Sequence, residues 1–303
     1  VRATLITIIG PRLNTDLIES LPRALAPALT AAPAAYLLES PTPNAAELPD
    51  LEVRQWRTQL PQQSARAALA DFTARARAGG VDVLVTPAAL LDPGPRLIIT
   101  DVDSTLIRDE VIELLADHAG SRDIVTEVTE AAMRGELDFT QSLLQRVATL
   151  RGLPVGVYEQ VLAATRLSAG VPNLCRVLKR NGDFIGVVSG GFIEIVQPLA
   201  EGLGIDFARA NRLATVDGHL NGEVSGRVVD REVKAETLRA WAAEAGVPLE
   251  RTIAVGDGAN DLAMLAAAGL GVAYNAKPVV QDQADAAITG PRLDALLAVL
   301  GNS

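Results

Sequence analysis

Short runs of aliphatic and β-branched residues alternate along the chain with stretches in which apolar positions recur every three or four residues. Ala3 to Ile9 predicts a strand and Asp16 to Leu29 an amphipathic helix. Ala35 to Glu39 and Leu51 to Arg57 predict two further strands, split by a Pro/Asn-rich loop. Ser64 to Ala78 carries a helical pattern that ends at Gly79-Gly80, and Val81 to Thr86 predicts a fourth strand.

The resulting order, β-α-β-β-α-β, predicts a ferredoxin-like α+β unit over residues 1–90. Leu91-Asp92-Pro93-Gly94-Pro95 then favours neither helix nor sheet and marks the expected domain junction. Residues 96–303 change character. Leu97 to Val102, Phe184 to Ser189, Thr252 to Asp257 and Leu270 to Ala273 are nearly all apolar, as buried parallel strands are. Helical stretches separate them, which predicts a Rossmann-like α/β core. A largely helical insert, about 113–168, interrupts it after the first strand. Asp217-Gly218 and Asn221-Gly222 predict a small β-hairpin before Arg231.

Composition narrows the function classes. Of 303 residues, 49% are hydrophobic and 21% charged, the mix of a folded globular chain. The formal net charge of -10, with no basic cluster, argues against nucleic acid as a partner, because phosphate contacts need local Lys and Arg. The longest apolar run, Leu262 to Tyr274, falls short of the roughly 18 residues that cross a bilayer. VRATLITIIG lacks the hydrophobic core and cleavage site of a secretion signal. A single cysteine, Cys175, permits no internal disulfide, so a cytoplasmic location is expected. From Arg108 to Arg146 nine acids stand against four arginines, most of them expected on solvated helix faces. His118 and His219 are far apart and make a His-based zinc site unattractive.

Chemistry concentrates at three predicted strand ends, where open parallel sheets bind ligands. Asp101-Val102-Asp103 follows the first strand of the core. In an extended chain both carboxylates face one way, and at 4 Å they repel by about 4 kcal/mol. A hard cation such as Mg²⁺ would offset that repulsion; taken alone, the pair reads equally well as two turn-capping aspartates. Ser189-Gly190-Gly191 ends the second strand with a hydroxyl and amides that can approach an oxyanion, though an ordinary Gly-rich turn has the same composition. Gly256-Asp257-Gly258-Ala259-Asn260-Asp261 ends the third. Lys234, on a predicted helix before it, could neutralise phosphoryl charge.

In order and spacing these motifs resemble the haloacid dehalogenase superfamily of phosphotransferases. Asp101 and Asp103 match its first motif, Ser189 its second, Lys234 its third, and Asp257 with Asn260-Asp261 its fourth. The second aspartate separates the chain from the dehalogenase branch. From about Leu97 to Thr289 the sequence is similar, more narrowly, to the phosphoserine phosphatase family, notably at Asp101 to Glu110, Met133 to Phe139, Ser142 to Leu150, Ser189 to Phe192 and Gly256 to Leu262.

That resemblance implies Mg²⁺-dependent hydrolysis of L-phosphoserine to L-serine, the last step of phosphorylated serine biosynthesis. It implies Asp101 as nucleophile, Asp103 as acid and base, and metal ligation by Asp101, the Asp103 carbonyl and Asp257. Ser189, Gly190, Lys234 and Asn260 would surround the phosphate, with Asp261 behind them. Glu110 would meet the substrate ammonium and Arg146 its carboxylate, as a zwitterion requires. Met133 and Phe139 would close an apolar wall, and the insert would act as a cap. Each of these four also reads as ordinary packing or surface pairing. The first domain resembles an ACT-type unit, which implies an amino-acid effector, a homodimer contact or a purely structural role. Another phosphomonoester as substrate, or a silent binding protein of the same fold, stays open.

Overall fold

The computed structural model describes residues 3–25, 28, 29, 33–40 and 48–301. Its first part holds β1 (Thr4–Gly10), α1 (Thr15–Leu25), β2 (Ala34–Leu38), β3 (Leu51–Thr58), α2 (Gln62–Ala68), α3 (Ala70–Ala78) and β4 (Asp82–Thr86). The strands form one antiparallel sheet in the order β2-β3-β1-β4, the arrangement of a split β-α-β unit. Most of the Pro/Asn-rich stretch lies outside the described residues; the first helix, expected to reach Leu29, ends at Leu25, and Leu29 instead forms an antiparallel bridge with Thr58. The expected helix from Ser64 to Ala78 is two helices that meet at Leu69. There the Leu69 amide is shared between the Ala65 and Arg66 carbonyls, and its side chain is fully buried.

Every residue of β1 is buried. Alternation sends Ile6 and Ile8 toward Leu21, Trp56 and Phe72, under the sheet's own helices. Ile9, Val53 and Leu84 point the other way, into a core shared with the rest of the chain. The sheet is therefore covered on both faces. On the second face the segment Leu293–Leu300 packs, and Thr7 and Gln55 both donate to the Ala298 carbonyl, at 3.3 and 2.7 Å. The junction at residues 91–95 is also held: Arg251 donates to the carbonyls of Ala89, Asp92, Gly94 and Pro95.

The second sheet contains β5 (Leu97–Thr100), β6 (Phe184–Phe192), β7 (Phe207–Val216), β8 (His219–Ser225), β9 (Thr252–Gly256), β10 (Leu270–Tyr274) and β11 (Ala286–Ile288). Its order is β11-β10-β9-β5-β6-β7-β8, parallel except for the β7-β8 hairpin. Strand β5 lies between β6 and β9, so successive connections leave it in opposite directions and open a crevice at its carboxyl end. The hairpin turns at Asp217-Gly218, both with positive φ. Asn221-Gly222, expected in a turn, lies inside β8. Strand β11, three residues long, is too short for the sequence pattern to single out.

Of the helices between β5 and β6, the first four form the cap: α4 (Val111–Ala119), α5 (Arg122–Met133), α6 (Phe139–Ala148) and α7 (Val157–Ala164). The chain enters and leaves this cap side by side. Arg108 donates to the Arg166 carbonyl and Ser168 to that of Leu106, both at 2.9 Å. The cap also rests on the hairpin, through Gly152 to the Leu220 carbonyl at 2.8 Å and Val155 to that of Gly218 at 3.0 Å. Helices α8 (Val171–Arg180), α9 (Ile193–Leu203), α10 (Arg231–Glu244), α11 (Leu262–Ala267) and α12 (Pro278–Gln283) complete the core.

Candidate active site

The chain leaves β5 at Asp101 and wraps through an irregular turn in which Ser104 takes the left-handed conformation, φ +55°. That turn aims two carboxylates differently. Asp101 receives the Val102 amide and the Lys234 ammonium, each at 2.8 Å and both on Oδ1, which leaves Oδ2 without either bond. Asp103 is held on both oxygens, by the Val111 amide on Oδ1 and the Ser189 hydroxyl on Oδ2, each at 2.8 Å. The Ser189 oxygen in turn accepts the Gly191 amide at 2.7 Å. Residues 189–191 can approach this closely because they are small. A Cβ on Gly191 would lie 2.7 Å from Asp103 Oδ2.

Lys234 reaches the site from the first turn of α10, which Asp230 caps by accepting the Val233 amide. Its ammonium also meets Asp261 Oδ1 at 2.7 Å, and Lys234 is fully buried. Asp261 fits beneath β9 only because Gly256 lacks a side chain: a Cβ there would stand 2.4 Å from the Asp261 carboxyl carbon. Asp257 accepts the Thr105 hydroxyl at 3.1 Å. Carboxylate oxygens of Asp101, Asp257 and Asp261 all lie within 4.8 Å of one another. An all-oxygen set of this kind suits a hard divalent cation.

Electrostatics follow from burial. Desolvation pushes Asp101 well above the usual carboxylate range, repulsion from Asp261 adds to it, and Lys234 opposes both. Asp103 is raised by burial, against the donors from Val111 and Ser189. Burial and the neighbouring Asp261 raise Asp257 to about 6. Burial by itself would lower Lys234, but Asp101 and Asp261 outweigh it and hold the ammonium raised.

The cap covers this cluster with α6, whose Asp138–Gln141 capping box fixes its first turn. Phe139, Leu143 and Arg146 repeat at helical spacing along one face and, with Asp101, Asp103, Glu110, Gly190, Asp257 and Asn260, line a cavity of about 150 Å³. Phe139 packs on Gly190, where a Cβ would come within 2.8 Å of its ring. Arg146 donates to the Ser142 carbonyl at 3.3 Å, and among the described residues no carboxylate pairs with it. Burial lowers its pKa, against the attraction of Glu110 and Asp103. Glu110 accepts the Ser104 hydroxyl at 2.7 Å, and burial followed by repulsion from Asp103 raises it to about 7.

Met133 departs from the expected wall. It ends α5 with 69% exposure, outside the lining, its sulfur 3.9 Å from Lys277 Nζ. The buried anchor of α5 is Val125, two turns earlier, and the last turn runs out toward solvent. Sequence reasoning gave no role to Ser104 and Thr105, which stand in the first motif and hold Glu110 and Asp257, and passed over Asn211, which holds the Gly190 carbonyl. Single polar residues in a turn or strand give no pattern from which to pick them.

Residues 98–266 match the family model for haloacid dehalogenase-like hydrolases. A phosphoserine phosphatase of Streptococcus thermophilus is 50% identical over 204 residues, 67% of this chain and 95% of that protein. The chain belongs to the haloacid dehalogenase-like hydrolases, in their phosphoserine phosphatase branch. A phosphoserine phosphatase of Streptomyces coelicolor is 58% identical over 226 residues, 75% of this chain but 55% of its own length. The chain thus spans about half the length of that curated relative. A solved phospho-aspartyl intermediate analogue of phosphoserine phosphatase superposes with a TM-score of 0.64 at 41% identity, covering 68% of this chain and 99% of that one. In this chain Asp101 and Asp103 follow the central strand and α6 of the cap lies over them.

Proposed function

We propose that the protein hydrolyses L-phosphoserine to L-serine and phosphate through a phosphoaspartyl intermediate. The observation that carries this reading is the presence, around one small cavity, of a half-held Asp101, the half-buried Glu110 carboxyl and the half-buried Arg146 guanidinium. Asp101 Oδ2 attacks phosphorus in line while the bond to the serine oxygen breaks. Asp103 gives that oxygen its proton. Water then attacks the phosphoaspartate, Asp103 takes the water's proton, and Asp101 leaves as carboxylate. Ser189, Gly190, Lys234 and Asn260 surround the transferring group, and Asp261 holds Lys234.

Mg²⁺ fits the oxygen cluster, with Asp101, Asp257 and the Asp103 carbonyl as its ligands. When bound it would supply positive charge to the phosphoryl oxygens. Glu110 accepts the substrate ammonium, and Arg146 grips its carboxylate in a fork. Phe139 forms the apolar wall; Met133, at the rim beside Lys277, would join it only on further closure of the cap.

Residues 1–90 are read as an ACT-type domain and 96–303 as the phosphatase domain with its cap at about 113–168. The split β-α-β sheet order supports the first assignment, and it would offer a place for an amino-acid effector or for a homodimer contact. A single buried free cysteine accords with a cytoplasmic location. One assay tests the reading: phosphate release from L-phosphoserine, phosphohomoserine and a sugar phosphate, with Mg²⁺ and after chelation. Phosphoserine should lead by at least tenfold and only with metal. Equal turnover of all three, or none of any, would overturn it.

A further inference from the structure

Three residues of β6, Ser189, Gly190 and Gly191, stand opposite the single Ala210 of β7, because pairing runs from Val188–Arg209 to Phe192–Asn211. The strand bulges there, toward the cavity. A bulge leaves ladder groups unpaired, and Asn211, 1% exposed, fills the gap. Its Nδ2 donates to the Gly190 carbonyl at 2.8 Å, and its Oδ1 accepts the Val229 amide at 2.8 Å.

Both partners lead to the reaction centre. The Gly190–Gly191 peptide is pinned at its carbonyl by Asn211 and at its N–H by the Ser189 oxygen, 2.7 Å away. Because that oxygen accepts the Gly191 amide, the Ser189 hydroxyl is turned to Asp103 Oδ2. On the other side Val229 precedes Asp230, the cap of the helix whose first turn carries Lys234. One buried amide side chain therefore ties the Ser189–Gly191 turn to the Lys234 helix, two elements separate in sequence.

We infer that Asn211 is a positioning residue for phosphoryl transfer, one that keeps the Gly190 turn and Lys234 in register around the phosphate. It touches neither substrate nor reacting atoms. The inference rests on the phosphoserine reading of the site and predicts that its effect falls on the phosphate end alone. Arg146 and Glu110 belong to other elements, α6 and the turn after β5, to which no hydrogen bond of the Asn211 side chain runs among the described residues.

The test compares wild type with Asn211→Leu, which keeps bulk and removes both bonds, and Asn211→Asp, which keeps the acceptor for Val229 and loses the donor to Gly190. Each is assayed for kcat on phosphoserine and for competitive inhibition by inorganic phosphate and by L-serine, after far-ultraviolet circular dichroism confirms folding. Both variants should lose about 10- to 100-fold in kcat, since a misplacement of an ångström has that size of effect. Inhibition by phosphate should weaken in step while inhibition by L-serine stays within about twofold. Unchanged kcat in either variant overturns the inference, and so does equal weakening of phosphate and L-serine, which marks a merely structural role. If Asn211→Leu does not fold, Asn211→Asp decides; if neither folds, Asn211 is structural and the inference is lost. A wild type inactive on phosphoserine would instead fault the substrate assignment.

Discussion

Lys234 and Asp101 form a 2.8 Å ion pair whose side chains are 0% and 6% exposed. The ammonium occupies Oδ1 together with the Val102 amide, so the fold makes the two oxygens of Asp101 unequal. Asp261, on the far side of the same ammonium, holds the lysine in place. Buried charge of this kind is expensive unless every member is paired, and four consequences can be measured.

Asp101→Asn keeps the size of the side chain and removes its negative oxygen. Turnover should fall by about a thousandfold or more, the scale seen when a nucleophile is deleted. Beryllofluoride, a phosphate mimic that needs the carboxylate, should protect wild type against proteolysis and leave the variant unprotected. Residual turnover within tenfold of wild type would exclude a covalent route through Asp101.

Lys234→Met leaves Asp101 and Asp261 buried without their cation. In metal-free protein this should destabilise the fold by about 3–5 kcal/mol, as for one partner stripped from a buried pair. Saturating Mg²⁺ should recover part of that loss by placing another cation among the same oxygens. Urea denaturation with chelator and with Mg²⁺ measures both; identical losses in the two conditions would count against a cation site in the Asp101–Asp257–Asp261 cluster.

Glu110 is raised to about 7 in the folded chain, from an ordinary 4.5, by burial and then by Asp103. Between those values the folded chain keeps a proton that the unfolded chain has released. Its contribution to stability is therefore greatest at low pH and is lost as pH rises through that window, by about 3 kcal/mol in all. Glu110→Gln removes the titration, so the variant should gain on wild type at pH 8 and not at pH 5. Denaturation of the metal-free proteins at both pH values provides the check, and a difference independent of pH would contradict the assignment.

Arg146→Ala should reduce kcat/KM for phosphoserine by about 2 to 4 kcal/mol in transition-state stabilisation. Phosphoethanolamine has the same phosphate and ammonium and no carboxylate, so wild type should handle it poorly and the substitution should matter far less. The coupling between enzyme change and substrate change isolates the guanidinium–carboxylate contact. Equal losses on both substrates would make Arg146 a general electrostatic residue.

What the sequence determined by itself is whatever rests on local pattern. All-apolar runs announced β5, β6, β9 and β10, because a strand buried on both faces has no polar positions to alternate. The polar residues just beyond three of those runs fixed where the chemistry must lie, since parallel strands bring their carboxyl ends to one edge. Phe139 and Arg146, seven residues apart, were already committed to one helix face. The tertiary structure decided the rest. Only a fold can say that Lys234 takes Asp101 Oδ1, because that choice depends on how α10 packs against β6 and α11. Only a fold sets Met133 at the exposed end of its helix and shares one core between the two sheets through Leu293–Leu300. Asn211 shows the limit most clearly. A lone asparagine in a strand has many uses, and its partners, Gly190 and Val229, lie 21 and 18 residues away, brought together by a bulge that no local propensity encodes.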